Sequence, residues 1–239
     1  MSGSRSALPF GRVGDSIADL IREADSRDFI TYPWTGLEDV LRRSGADSLR
    51  LVGYGSLVNA GSASVTIDER RANRATPVAA HGVRRIFNYE MDSDHSRYVP
   101  ADAPDARALL NAERGEMGVD ALNGVLLEVL IEEVQALRER ETDYDLAPVV
   151  CEPWDRDSGK AGLAWVLICS PDSESGSRRV NNRLTPNPDY YRVCREGAAS
   201  FGDAFLEAWL DSTFLGDKVT SARAWEKSNT TVLCRESEA

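Results

Sequence analysis

Two separated stretches hold the residue types that acyl-transfer chemistry needs. The first is Leu51-Val52-Gly53-Tyr54-Gly55-Ser56-Leu57, an apolar strand ending in a glycine-punctuated loop. Glycines on both sides of Tyr54 let a ligand approach the backbone closely. Successive N–H groups in such a loop can form an anion-binding concavity. The second stretch is Glu139-Arg140-Glu141-Thr142-Asp143-Tyr144, at the end of a predicted helix. An N–H cradle suits a carboxylate or a developing oxyanion, and a well-placed carboxylate can move protons. The pair would make an acyl-transfer site that needs no metal, cysteine or cofactor.

Each stretch also has an ordinary explanation. Tyr54-Gly55-Ser56-Leu57 reads as a tight turn in which Ser56 caps the next segment. A nucleophile elbow is not supported, since Ser56 lies between Gly55 and Leu57 and the G-x-S-x-G pattern is absent. The two histidines, His81 and His95, complete neither a Ser-His-Asp set nor a zinc site. Glu141 reads as surface charge in the run 138–145. Leu137, four residues earlier, is expected to face the core and to bring Glu141 toward the same side. Burial there would raise its pKa toward the range useful to a general base. Tyr144 follows by three and would share that face, while Glu139 and Asp143 are expected to point elsewhere.

Val83, Arg85 and Phe87 alternate as one face of a strand. An edge strand with two solvated arginines explains this pattern, and so does an arginine that holds a substrate carboxylate. Arg84 is assigned to solvent, and Arg85 stays open as a candidate.

The elements that must carry these residues follow from the same patterning. Helices are expected around Ile17, Leu20 and Ile21 and over 37–41. Strands are expected over 49–54, 77–80, 83–88, 108–111, 123–129, 146–151 and 163–169. A helix is expected over 132–140, and a helical region from Pro188 to about Leu215 with apolar positions Val193, Ala198, Phe201, Phe205, Trp209 and Leu210. Loops are expected over 92–105 and 170–188, and a frayed tail over 232–239. Many short strands with inserted and appended helices point to an α+β fold, either a small mixed β-barrel with flanking helices or a strongly curved mixed sheet with α decoration, carrying an N-terminal helical extension. We divide the chain into a 1–48 extension and a 49–230 domain.

The 239 residues carry a net charge of -11, with 42% hydrophobic residues. That composition supports a real core. The charge argues against a nucleic acid or an anionic membrane as partner. No run is long or apolar enough to span a bilayer, and residues 1–6 lack the apolar stretch of a secretory signal. The four cysteines, Cys151, Cys169, Cys194 and Cys234, contain no CxxC and read as reduced thiols of a cytoplasmic protein. A Cys151–Cys169 disulfide is the less favoured option. The N-terminal helices could cover the barrel or form a homodimer surface.

Four stretches taken together resemble the gamma-glutamylcyclotransferase-like superfamily. Tyr54-Gly55-Ser56-Leu57 looks like its signature loop. Gly82-Val83-Arg84-Arg85-Ile86-Phe87 is similar to the Gly-x-x-Arg-Arg-Phe stretch of the glutathione-specific, ChaC-type branch. Asn123-Gly124-Val125-Leu126-Leu127-Glu128-Val129 resembles the strand before the catalytic helix, and Leu137 to Tyr144 resembles the stretch that keeps the catalytic glutamate. The resemblance spans roughly 49–215. It implies a barrel with a pocket at its mouth and no cofactor or metal. Its reaction is intramolecular aminolysis of a γ-glutamyl group to 5-oxoproline and a free amine. It gives Glu141 the role of general acid and base, and the N–H groups of Gly55, Ser56 and Leu57 the substrate carboxylate or oxyanion. Tyr54 and Tyr144 would line the pocket and donate hydrogen bonds. A small-molecule γ-glutamyl substrate, glutathione or another, is the expected partner. Hydrolysis or acyl transfer on the same scaffold, or a non-catalytic binding module, are the competing readings.

Overall fold

A computed structural model describes residues 47–91, 98, 104–141, 143–170 and 176–229. The helices expected before residue 42 and the tail over 232–239 lie outside these residues. Strand β1 (Ser48–Gly53) leads into a 3-10 turn (Ser56–Val58) and two short helices, α1 (Ala60–Ala63) and α2 (Glu69–Ala72). Strands β2 (Thr76–His81), β3 (Val83–Glu90), β4 (Ala108–Arg114) and β5 (Ala121–Leu130) precede helix α3 (Ile131–Arg140). Then come β6 (Asp145–Pro153), β7 (Gly162–Ile168), α4 (Gly176–Arg179), α5 (Pro188–Ala199), α6 (Asp203–Ser212), β8 (Thr213–Leu215) and α7 (Ala222–Ser228).

Five strands close a barrel in the order β1-β5-β2-β6-β7. Its pairs are antiparallel except the closing one, where Leu51 and Val52 lie parallel to Trp165 and Val166. The fold is therefore α+β with a small mixed barrel. Leu51, Val125, Leu127, Val129, Leu146, Val149 and Val166 are fully or almost fully buried in it. Closure gives each of the five barrel strands a partner on both sides.

The remaining strands form a second sheet, β4-β3-β8. β3 is its middle strand, not an edge. The backbone of β3 is paired on both sides, and Val83, Arg85, Ile86 and Phe87 are buried. Two polar side chains tie this sheet to the rest. Asn111 on β4 acts as an extra backbone unit: its amide donates to the Cys169 carbonyl and accepts from the Cys169 N–H, both at 2.9 Å. Arg85 on β3 spans to β5 and to the α6–β8 junction, as described below.

The region after Pro188 is two helices rather than one. Gly202 sits at φ +96, a conformation that suits glycine, and separates α5 from α6. The buried face of α5 runs through Tyr190, Tyr191, Cys194, Gly197 and Ala198. Val193 is only partly covered. At Gly197 the backbone of Asn59 approaches so closely that a side chain would overlap it. This packs α5 onto the turn that follows β1. Cys151, Cys169 and Cys194 are buried free thiols, so the Cys151–Cys169 bridge is not formed. Among the described residues no helix is long and apolar enough to cross a membrane.

Candidate active site

The two stretches that are 84 positions apart in Arg140 and Ser56 meet in space. The meeting point is a cleft at one end of the barrel of about 290 Å³, counting its open mouth. It is lined by the end of β1 and the loop after it (Val52 to Leu57), by Leu110, by Glu141 and Tyr144, by Leu167 and by Tyr190.

The loop ends β1 because two glycines let the chain pack back on itself. A side chain at Gly53 would meet the Leu57 side chain, and one at Gly124 on the neighbouring strand would meet the Gly53 carbonyl. Gly55 keeps a negative φ, -102. It is glycine because the Tyr190 hydroxyl lies where its Cβ would be. The carbonyls of Gly55 and Ser56 accept from the N–H groups of Val58 and Asn59 at 3.0 and 3.1 Å. The N–H groups of Gly55, Ser56 and Leu57 stand at the start of this turn, where a helix has no internal acceptor to offer. Among the described residues they donate to no backbone or side-chain acceptor.

Glu141 arrives from the other side. Leu137 is fully buried, which anchors the last turn of α3 on the core. Glu141 caps that helix at φ -100, ψ 51, its N–H donating to the Leu137 carbonyl at 2.9 Å. Its side chain is 16% exposed and its Oε1 is 3.0 Å from Arg140 Nε. Partial burial is as the position of Leu137 predicts, and the adjacent cation is an addition made by the fold. Asp143 turns the chain at φ +65 and pairs with Arg179 at 2.7 Å. Glu139 bonds to Gln135 on the helix surface. Neither Glu139 nor Asp143 lines the cleft.

Three tyrosines line the walls, and their hydroxyls are used differently. Tyr54 donates to the Leu167 carbonyl at 2.7 Å and accepts from the Ala112 N–H at 3.0 Å. Tyr144 donates to the Leu110 carbonyl at 2.7 Å, and its ring stacks on Tyr89 at 4.5 Å. Both therefore give the cleft its shape but spend their protons on the backbone, which corrects the expectation that they donate to a ligand. Burial raises both hydroxyls well above the ordinary tyrosine value, so they stay protonated. Tyr190 is the third. Among the described residues its hydroxyl donates to no oxygen acceptor. It lies over Gly55 and close enough to the Cys194 thiol to affect it. Tyr98 packs edge-on against the Tyr190 ring at 5.1 Å.

Arg85 does not reach the cleft. It is fully buried, and every donor is engaged. Nε donates to Thr213 Oγ1 at 2.6 Å, and Nη1 to the carbonyls of Asn123 and Tyr54 at 2.6 and 3.4 Å. Nη2 donates to Asn123 Oδ1, Ser212 Oγ and the Trp209 carbonyl at 2.9, 3.1 and 3.3 Å. The guanidinium lies over the Trp209 ring, 5.0 Å from its centre. Burial pushes it down to about 9, which still leaves it charged at neutral pH. Its candidacy as a substrate-carboxylate ligand is thus corrected: it is an internal cross-brace that also holds the Tyr54 carbonyl. Arg84, on the opposite face, pairs with Asp120 at 2.9 Å, as its solvent-side assignment expected.

The reading of the sequence missed Tyr190 and Arg140. Tyr190 sits in a helical stretch whose apolar spacing was assigned to Val193, one position off the buried face. Arg140 was visible as the neighbour of Glu141, but its partners Ser56, Ser62 and Thr66 lie far away in sequence. Among the described residues no group of three or more His, Cys, Asp or Glu side chains gathers as a metal ion would need.

No family model matches the chain, and no curated protein matches it. Solved structures do match. An uncharacterised human protein is 13% identical, with a TM-score of 0.47 over 68% of this chain and 86% of that one. YkqA from Bacillus subtilis is 13% identical, with a TM-score of 0.46 over 70% of this chain and 54% of that one. A yeast gamma-glutamyl cyclotransferase specific to glutathione is 14% identical, with a TM-score of 0.45 over 69% of this chain and 97% of that one. The chain thus spans about half the length of the Bacillus protein.

Proposed function

We propose that the protein is a cyclotransferase that converts a γ-glutamyl amide, amine or peptide to 5-oxoproline and a free amine. The observation that carries this reading is the convergence, in one small cleft, of the Glu141 carboxylate with the loop whose N–H groups at Gly55, Ser56 and Leu57 have no acceptor among the described residues. A carboxylate supplies a proton acceptor, and the loop supplies fixed donors for negative charge.

In the reaction, Glu141 takes a proton from the substrate's α-ammonium group. The freed amine attacks the γ-carbonyl carbon, forming the new C–N bond and placing negative charge on the carbonyl oxygen. The loop N–H groups hold that oxygen or the α-carboxylate. The oxyanion then collapses, the bond to the leaving nitrogen breaks as Glu141 gives it a proton, and the proton still in excess on the new ring nitrogen passes by way of Glu141 to the departing amine, which leaves as an ammonium ion. The walls formed by Tyr54, Tyr144, Leu110 and Leu167 favour a folded substrate in which amine and carbonyl meet. Effective molarities for such oriented groups reach about 10⁵ M or more.

The test is a product assay over glutathione, γ-glutamyl amino acids and γ-glutamyl amines, scored by mass for 5-oxoproline, with wild type and Glu141→Gln. We expect 5-oxoproline from at least one substrate and a loss of about 10²-fold or more in the variant. Free glutamate as the product would move the assignment to hydrolysis. Unchanged turnover in Glu141→Gln would remove Glu141 from the mechanism.

A further inference from the structure

We propose that Arg140 is a positioning residue, which fixes the Glu141 carboxylate relative to the loop after β1 so that base and N–H cradle keep one geometry. The proposal rests on the reading of Glu141 as the proton carrier. Arg140 does not line the cleft, so it acts through the groups it holds.

All of its donor directions are taken. Nε faces Glu141 Oε1 at 3.0 Å. Nη2 donates to Ser56 Oγ and Ser62 Oγ, both at 3.0 Å. Nη1 donates to the Ser62 carbonyl at 2.6 Å and to Thr66 Oγ1 at 3.3 Å. The side chain is only 12% exposed. An isolated surface ion pair would contribute little and would fluctuate. A planar guanidinium with its other four bonds committed is different, because it holds the carboxylate and the Ser56 hydroxyl at a set separation.

The local backbone explains why such a tether is needed. Glu141 lies past the last turn of α3, and Asp143 reverses the chain at φ +65. Glu141 is the cap of α3 and lies outside its regular turns. The loop on the other side is a three-residue turn followed by two helices of four residues each, α1 and α2. Arg140 bonds to both. A displacement of about 1 Å between reacting groups costs on the order of 10²-fold in rate.

The experiment compares wild type, Arg140→Gln and Arg140→Lys in steady-state kinetics on the substrate found above, and in a carbon-13 NMR titration of the Glu141 carboxyl. In Arg140→Gln we expect kcat to fall about 10- to 100-fold with KM nearly unchanged, and Glu141 to titrate at higher pH than in wild type. Arg140→Lys keeps the charge but cannot span Glu141 and Ser56, and falls between the two. A folded Arg140→Gln protein with wild-type kcat and wild-type titration overturns the proposal, as does a change confined to KM. If the glutamine variant does not fold, full wild-type kcat in Arg140→Lys overturns it. If the wild type turns over no γ-glutamyl substrate, the assigned reaction falls, and the titration alone decides whether Arg140 governs the carboxyl.

Discussion

The Tyr190 hydroxyl occupies the space that a side chain on residue 55 would need. One helix of the outer layer is thereby keyed to the loop that ends β1, and the contact forms part of the cleft wall.

Gly55→Ala forces that contact apart. We expect a loss of about 1–3 kcal/mol, the usual cost of overpacking. Tyr190→Phe removes the obstructing oxygen and should recover most of the loss when the two changes are combined. Urea denaturation of the two single variants and the double variant measures the coupling. Strictly additive effects would show that the hydroxyl and Gly55 do not press on each other.

Arg85 and Arg84 are neighbours with opposite roles. Arg85→Lys replaces a planar fork by a single ammonium and strands the acceptors at Asn123, Thr213 and Ser212. We expect about 3–5 kcal/mol of destabilisation, as for other broken buried charge networks. Arg84→Ala breaks one partly exposed pair and should cost under about 1 kcal/mol. Equal losses in the two variants would contradict the assignment of Arg85 as a cross-brace.

His81 makes the fold sensitive to acid. It is buried, 3.2 Å from Glu152, which also pairs with Arg156 at 3.0 Å. Burial lowers the imidazole from its ordinary 6.5, Glu152 opposes that, and Arg156 adds to it. Above 6.5 both the folded and the unfolded forms are neutral, and no penalty applies. As pH falls below 6.5 the unfolded chain takes up a proton that the folded chain resists, so stability drops until the folded value is reached. We expect urea midpoints to decline as pH falls below 6.5, and His81→Gln to flatten that decline. An equally steep decline in the variant would assign it to other groups.

The barrel strands were legible because each is a run of apolar residues broken by turn residues. Glu132 to Arg140 was legible by its helical spacing, and the true element differs by one residue at its start. Three features were not. β8 is only three residues long and takes its identity from pairing with Arg85, Ile86 and Phe87, which no local pattern announces. Gly202 inside an apolar repeat reads as tolerable until its φ is known. The alternation of Val83, Arg85 and Phe87 was read correctly as one strand face, but an edge strand was expected where β8 makes it a central one.

For the site, residue chemistry and order along the chain were enough to single out Tyr54 to Leu57, Glu141 and Tyr144, because glycine spacing and a carboxylate at a helix end are local properties. What each side chain does with its protons was decided by tertiary structure. The Tyr54 and Tyr144 hydroxyls find carbonyls on Leu167 and Leu110, Arg85 finds carbonyls and hydroxyls inside, and Arg140 finds both Ser56 and Glu141. A hydrogen bond depends on which distant acceptor the fold brings within about 3 Å. Hydrophobic patterning sets which face of an element is buried, and it leaves that choice of partner to the packing of the barrel, the second sheet and α5.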